Sequence, residues 1–291
     1  MTTSERSASA LGAADRVALI AGSGRLPVDV AEGLEKIGKT PFLVIVDGET
    51  DSAALEKYEN KRLAVEEIGE LVPLLKRHLV THIIMAGGIT RRPNLGKIKW
   101  SLPLLRFLPH VVRALSRGDD AVLSTLVTHL EQNGFAVVGA HEILPDLLAR
   151  QGVMTRIAPQ PGDKRDIDAA LEAALAIGRL DIGQAAVAIG GRAVALEGVE
   201  GTDGLLERVR ELRSHGRIAG KRRGVLVKCA KPGQEIRADL PTIGPATIER
   251  AHAAGLAGVA VEAERAFVLE FARTIDSAND LGMFVVGLPK A

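Results

Sequence analysis

Two ammoniums and a carboxylate, Lys228, Lys231 and Asp239, fall close together in the run V-L-V-K-C-A-K-P-G-Q-E-I-R-A-D-L-P-T-I-G from Val225 to Gly244. A lysine pair matches the charge of a phosphate-bearing ligand, and an acid beside it can hold a metal ion or a water. Gln234, in the turn between the lysines and the acid, counts with the ligand contacts. A second dense cluster is L-E-G-V-E-G-T-D, with Glu197, Glu200, Thr202 and Asp203. Mg²⁺ accepts one or two carboxylates and lets phosphates and water complete its octahedron, so these acids are candidate metal ligands with Asp239. The competing reading is a solvated turn whose Thr202 caps the next helix.

The elements that must carry these groups are legible as periodic segments. Val17–Ala21 reads as a buried strand broken by Gly22-Ser23-Gly24, with a helix after it burying Leu26, Val30, Leu34 and Ile37. Strands at Phe42–Val46, His82–Ala86 and Phe135–Gly139, with helices near Ile68–His78 and Asp119–Gln132, continue the pattern of a parallel sheet with helical crossovers. Turn residues in Pro159–Lys164 mark a linker. Beyond it come a helix at Ile167–Ile177 and a hairpin of Ala186–Ile189 with Ala193–Leu196 about Gly190-Gly191. A helix after Thr202, a strand at Val225, a helix from Pro245 to Gly255, a strand at Gly258–Val261, a helix at Phe267–Ile275 and a strand at Met283–Val286 complete the chain. The fold expected is two α/β domains. Residues 1–14 form a loose tail, 15–158 a Rossmann-like parallel sheet, and 163–291 a mixed α/β domain, with the ligand between the domains.

Several turns of the first domain add candidate contacts. Gly22, Ser23 and Gly24 stand where backbone amides at a helix start can bind phosphate. Pro27 replaces the third glycine of a dinucleotide fingerprint, which weakens a hydride-cofactor reading. Gly87 and Gly88 follow a strand in the same way and lead to Arg91 and Arg92, whose forks match phosphate oxygens. Asp119 and Asp120 open a helix, and His141 follows a strand end. Each has a plain alternative: a structural turn, a solvated arginine pair, helix-capping acids, a satisfied polar histidine. The stretch Trp100–Pro109, flanked by Lys97, Lys99, Arg106 and Arg113, is dense in apolar residues and prolines and fits either a greasy surface for lipid chains or a core segment.

Composition narrows the function. Apolar residues make up 46% and charged residues 25% of the chain, an ordinary balance for a folded domain, and the net charge of +1 gives no global field for nucleic acid. One Trp, one Tyr and six Phe are too few for the stacking platforms of a single-strand binder. The lone Cys229 can make no internal disulfide, which fits a reducing cytoplasm, and reads as a buried structural thiol. No apolar run reaches the length of a membrane span.

Taken in order, I-A-G-S-G-R-L-P, A-G-G-I-T-R-R-P, G-D-D-A-V-L-S, V-G-A-H-E-I-L-P-D-L, A-L-E-G-V-E-G-T-D and V-K-C-A-K-P-G-Q-E-I-R-A-D-L-P-T-I-G resemble the LpxI-type UDP-2,3-diacylglucosamine pyrophosphatases of lipid A biosynthesis. The resemblance runs from about Val17 to the C-terminus. It implies a two-domain enzyme that uses Mg²⁺ to hydrolyse the pyrophosphate to UMP and 2,3-diacylglucosamine 1-phosphate (lipid X), and it makes Asp239 the leading catalytic acid. It also leaves room for a homodimer and for peripheral contact of a cytoplasmic protein with the inner membrane. In this reading Lys228 and Lys231 stabilise phosphate charge, and the Gly22 turn holds the uridine nucleotide. A non-catalytic nucleotide-binding protein and an NAD(P) oxidoreductase are the rival readings.

Overall fold

A computed structural model describes residues 11–50, 52–89, 91, 118–218 and 222–290. Thr90, Arg92 and the Trp100–Pro109 stretch with its flanking Lys97, Lys99 and Arg113 lie outside the described residues. By their contacts the described residues fall into two units. The first runs to Asp146 and includes Glu235–Asp239; the second comprises Leu147–Gln234 and the chain from Leu240.

In the first unit, β1 (Val17–Ala21), β2 (Phe42–Val46), β3 (Asn60–Leu63), β4 (His82–Ala86) and β5 (Ala136–Val138) form a sheet in the order β3-β2-β1-β4-β5. Every pairing is parallel, with Val17 opposite His82 and Ala18 opposite Phe42. The sequences VALIA and FLVIV are apolar at every position because strands of a parallel sheet are covered on both faces. Strand β3 escapes that pattern: its Asn-Lys-Arg-Leu is half exposed at the sheet edge, so no apolar run announced it. The helices α1 (Leu26–Lys36), α2 (Leu71–Arg77), α3 (Asp119–Gln132) and α4 (Ala140–Ile143) supply the crossovers and the turn after β5. Val127 and Leu130 of α3 close a core cluster with Phe42, Leu75, Ile83 and Val137, each contributing about 2 kcal/mol by leaving water.

The second unit holds a six-stranded mixed sheet made of β6 (Gly152–Val153), β7 (Ala185–Ala188), β8 (Ala193–Leu196), β9 (Val225–Lys228), β11 (Gly258–Glu262) and β13 (Phe284–Leu288). Its order is β6-β13-β11-β9-β7-β8. The three central strands β9, β11 and β13 run parallel, whereas β6 and the β7–β8 hairpin are antiparallel. Helix α5 (Pro161–Arg179) lies against one face, and α6 (Gly201–Ser214), α7 (Pro245–Ala253) and α8 (Phe271–Asp280) complete the unit with the short pair β10 (Thr242–Ile243) and β12 (Phe267–Val268).

Three expectations need adjusting. The chain passes into the second unit at Leu147, before the Pro159–Lys164 stretch, because Gly152–Val153 already pairs with β13. Pro161 is the first residue of α5, so the prolines there start a helix as well as ending a loop. The helix expected from Phe267 begins only at Phe271: Phe267 and Val268 pair with β10, and Glu270, at φ +46°, turns the chain into α8.

Candidate active site

In the first unit the strand order reverses between β1 and β4, and ligands of open α/β sheets bind beyond the carboxyl ends of strands at such a point. Gly22 and Gly87 follow those two ends, but they meet each other first. The Gly22 amide donates to the Ala86 carbonyl at 2.8 Å, Ser23 N to Gly88 O at 2.7 Å, and Gly88 N back to Ser23 O at 3.2 Å. Ser23 Oγ also donates to Gly88 O. A Cβ on Gly22 would stand 2.4 Å from the Gly88 oxygen, and one on Gly87 2.4 Å from the Ser23 oxygen. These glycines permit two backbones to touch, and the amides of Gly22, Ser23 and Gly88 are spent on that contact. Gly24, at φ +90°, has open space where a side chain would be, and it is exposed, as are Gly87 and Gly88.

Arg91 does not wait for phosphate. Its Nη1 and Nη2 donate to the buried Glu66 at 2.9 and 2.8 Å, its backbone amide donates to Glu49, and Glu66 raises the guanidinium's pKa further. Asp119 and Asp120 occupy the first turn of α3, where the helix dipole favours them. His141 sits in α4 with its ring over Gly139, so close that a Cβ there would lie 2.2 Å from Cε1. Burial lowers its pKa below the usual imidazole value, and its Nδ1 is buried without a hydrogen-bond partner among the described residues. Its surroundings thus favour the neutral imidazole.

Asp239 belongs, by contacts, to this first unit. It ends a single turn in which the amides of Ala238 and Asp239 donate to the Glu235 carbonyl at 3.0 and 3.2 Å. The turn is fastened from its other members. Glu235 N donates to Asp120 Oδ1 at 3.1 Å, Arg237 Nη1 reaches Glu131 Oε1 of α3 at 2.6 Å, and Ala238 packs on the cluster containing Val127 and Leu130. Arg237 also holds Glu235 through Nε at 2.9 Å and Nη2 at 2.6 Å, which draws the Glu235 pKa below the ordinary carboxylate range. Asp239 itself is exposed. Sequence reading missed Glu131, Glu235 and Arg237. The Glu235–Arg237 pair has a visible spacing, but nothing in the sequence ties either to Glu131.

In the second unit, Lys228 closes β9 and its half-buried ammonium donates to the Thr242 carbonyl at 3.1 Å. Lys231 is bound differently: its ammonium forms a largely buried ion pair with Asp181, a partner no sequence signal pointed to. Its backbone amide donates to Gln234 Oε1 at 2.8 Å, and Gln234 N returns a bond to Lys231 O, closing the Pro232-Gly233 turn. Lys231 and the buried Gln234 thus shape the loop that follows β9. Cys229 is buried and its thiol is pushed up to about 12 by desolvation, as expected of an inert structural cysteine.

The acids at 197–203 are also committed. Glu197 is buried and uses both oxygens: Oε2 accepts from Gln184 N at 2.7 Å and Oε1 from Thr202 Oγ1 at 2.6 Å. Thr202 spends its hydroxyl on that bond, tying the first turn of α6 to Glu197, instead of capping the helix. Glu200 pairs with Arg208 at 3.0 Å and the exposed Asp203 with Arg250 at 3.3 Å. Among the described residues no group of three or more His, Cys, Asp and Glu could hold a metal ion. The expected set of Glu197, Glu200 and Asp203 therefore does not fit a metal cradle, Glu197 least of all.

Models of the LpxI N-terminal domain and the LpxI C-terminal domain match residues 16–147 and 150–286. A curated relative from Caulobacter vibrioides (strain ATCC 19089 / CIP 103742 / CB 15), named UDP-2,3-diacylglucosamine pyrophosphatase LpxI, is 39% identical over 274 residues, 94% of this chain and 97% of its own. A solved CobK precorrin-6A reductase aligns over 95% of this chain and 88% of its own with 12% identity and a TM-score of 0.33, a likeness too slight to carry any argument. With one family model on most of each unit and a relative matched nearly end to end, this chain belongs to the LpxI family.

Proposed function

We propose that this protein hydrolyses the pyrophosphate of UDP-2,3-diacylglucosamine to UMP and 2,3-diacylglucosamine 1-phosphate. One observation carries the reading: the 39% identity to the Caulobacter pyrophosphatase extends over 94% of the chain. In the reaction a water oxygen attacks one phosphorus, the bond from that phosphorus to the bridging oxygen breaks, and the water surrenders a proton. The exposed carboxylate of Asp239 is the group we assign to orient that water and accept its proton. Lys228, with one ammonium N–H on Thr242 and two remaining, is assigned to the negative charge that builds on phosphate oxygens. Lys231 keeps the β9 loop in shape through Asp181.

Mg²⁺ is part of the proposal in a restricted form. With the acids at 197–203 engaged elsewhere, Asp239 is the residue that would hold the ion beside the pyrophosphate. Bound there, it would neutralise charge on the phosphate oxygens. The substrate's acyl chains imply work at a membrane surface. No helix among the described residues is long and apolar enough to cross a membrane, so peripheral contact from the cytoplasm is the arrangement proposed.

The test is incubation of purified protein with UDP-2,3-diacylglucosamine, with Mg²⁺ or with EDTA, and detection of UMP. The proposal expects UMP with Mg²⁺ and little with EDTA. Binding of the nucleotide without UMP under any condition would favour a non-catalytic binding protein, and equal release in EDTA would remove the metal from the mechanism.

A further inference from the structure

Asp239 is exposed at the end of a turn, and an exposed loop carboxylate is ordinarily mobile, whereas a group that orients water must be held near one geometry. The backbone that carries it is fastened by its neighbours. Asp120 and Glu131 lie roughly three helical turns apart, which puts both on one face of α3. The Glu235–Asp239 turn meets that face at both acids: Glu235 N on Asp120 and Arg237 Nη1 on Glu131. Arg237 fills a central place, with Nη1 on Glu131, Nε and Nη2 on the Glu235 carboxylate, and its own amide on Glu235 Oε1 at 3.2 Å. Its planar fork thus clamps the first residue of the turn and ties the turn to a helix. Ala238, the residue before Asp239, is packed on the core cluster of the same unit.

We propose that Arg237 is a positioning residue for the reaction: bridging Glu131 and Glu235, it locks the turn on α3 so that the Asp239 carboxylate is presented in one orientation. The inference rests on the catalytic role assigned to Asp239 above. It differs from a direct phosphate contact, which is the usual reading of an arginine in such an enzyme, because the guanidinium is already shared by two carboxylates.

Four proteins decide it, namely wild type, Arg237→Met, Asp239→Asn and the double variant, assayed by UMP release from UDP-2,3-diacylglucosamine. Arg237→Met is expected to lower kcat roughly 10- to 100-fold, the scale of a misplaced catalytic group, with KM within about twofold. The same substitution in the Asp239→Asn background is expected to cost nothing further, because the two residues act as one unit. Glu131→Gln should lower kcat in the same sense, Arg237→Lys should recover part of it, and Arg237→Met with Glu131→Gln should be no worse than Arg237→Met alone. A raised KM at unchanged kcat, or an equal further loss in the Asp239→Asn background, overturns the proposal. If Arg237→Met proves unfolded by its thermal transition, Arg237→Lys and Glu131→Gln carry the same comparison. Wild-type rates in Arg237→Met beside an inactive Asp239→Asn would sink this inference alone. Wild-type rates in Asp239→Asn would instead remove the catalytic role assigned to Asp239, on which this inference rests.

Discussion

Two acid-bearing turns of this protein look alike in sequence and are put to opposite use. The turn at Glu197–Asp203 gathers three carboxylates, and all three are consumed: Glu197 by Gln184 and Thr202, Glu200 by Arg208, Asp203 by Arg250. The turn at Glu235–Asp239 carries two: Glu235 is held by Arg237, and Asp239 is exposed at the end of a turn that its neighbours fasten to α3. Density of acids is therefore a poor guide to chemistry. A carboxylate whose lone pairs are filled by buried donors is a brace, and reactivity calls for one held by residues other than itself.

The comparison is most exposed at Asp239. Asp239→Asn, nearly isosteric, should reduce the rate of UMP release on the order of 10³-fold with the thermal transition unchanged, as expected for loss of a general base. Retained activity would make the second turn as structural as the first. Glu197→Gln tests the opposite arm. It should cost about 1–3 kcal/mol in denaturant unfolding, since one oxygen becomes a donor facing Gln184 N or Thr202 Oγ1, yet leave turnover per folded molecule within about threefold. A large loss of turnover with stability intact would restore Glu197 as a ligand.

Smaller effects sharpen the contrast. Glu200→Gln and Asp203→Asn remove partners of partly exposed arginines and should each shift stability by less than about 1 kcal/mol, with the Mg²⁺ dependence of activity unaltered. The least effect concerns pH. Arg237 draws the folded pKa of Glu235 below its unfolded value, so this group stabilises the fold above the ordinary carboxylate value and loses that contribution as pH falls through the lower folded value. Thermal transitions of wild type should thus decline below about pH 4.5, and Arg237→Met should show a slightly shallower decline. An identical acid slope would mean that the clamp on Glu235 is not formed in solution.

Much of the architecture was readable because its causes are local. Apolar runs such as FLVIV, ended by glycine or Asp and separated by helical periodicity, specify buried parallel strands wherever they fold. Where the cause is a partner distant in sequence, reading failed. The half-exposed β3 has no pattern of its own, and β12 exists because β10 lies beside it. The site divides in the same way. Lys231 looked like a phosphate ligand until Asp181 stood against it, and Arg91 until Glu66 did. Gly22 and Gly87 looked like an open cradle, and each proved to make room for the other's backbone.

The sequence by itself determined the family, the two α/β units and the short list of groups able to act on a pyrophosphate, because these follow from residue type, order and period. Only the tertiary structure decided which of those groups are already engaged. A hydrogen bond or ion pair between residues far apart in the chain is fixed by packing, and packing is what buries Glu197 and leaves Asp239 exposed.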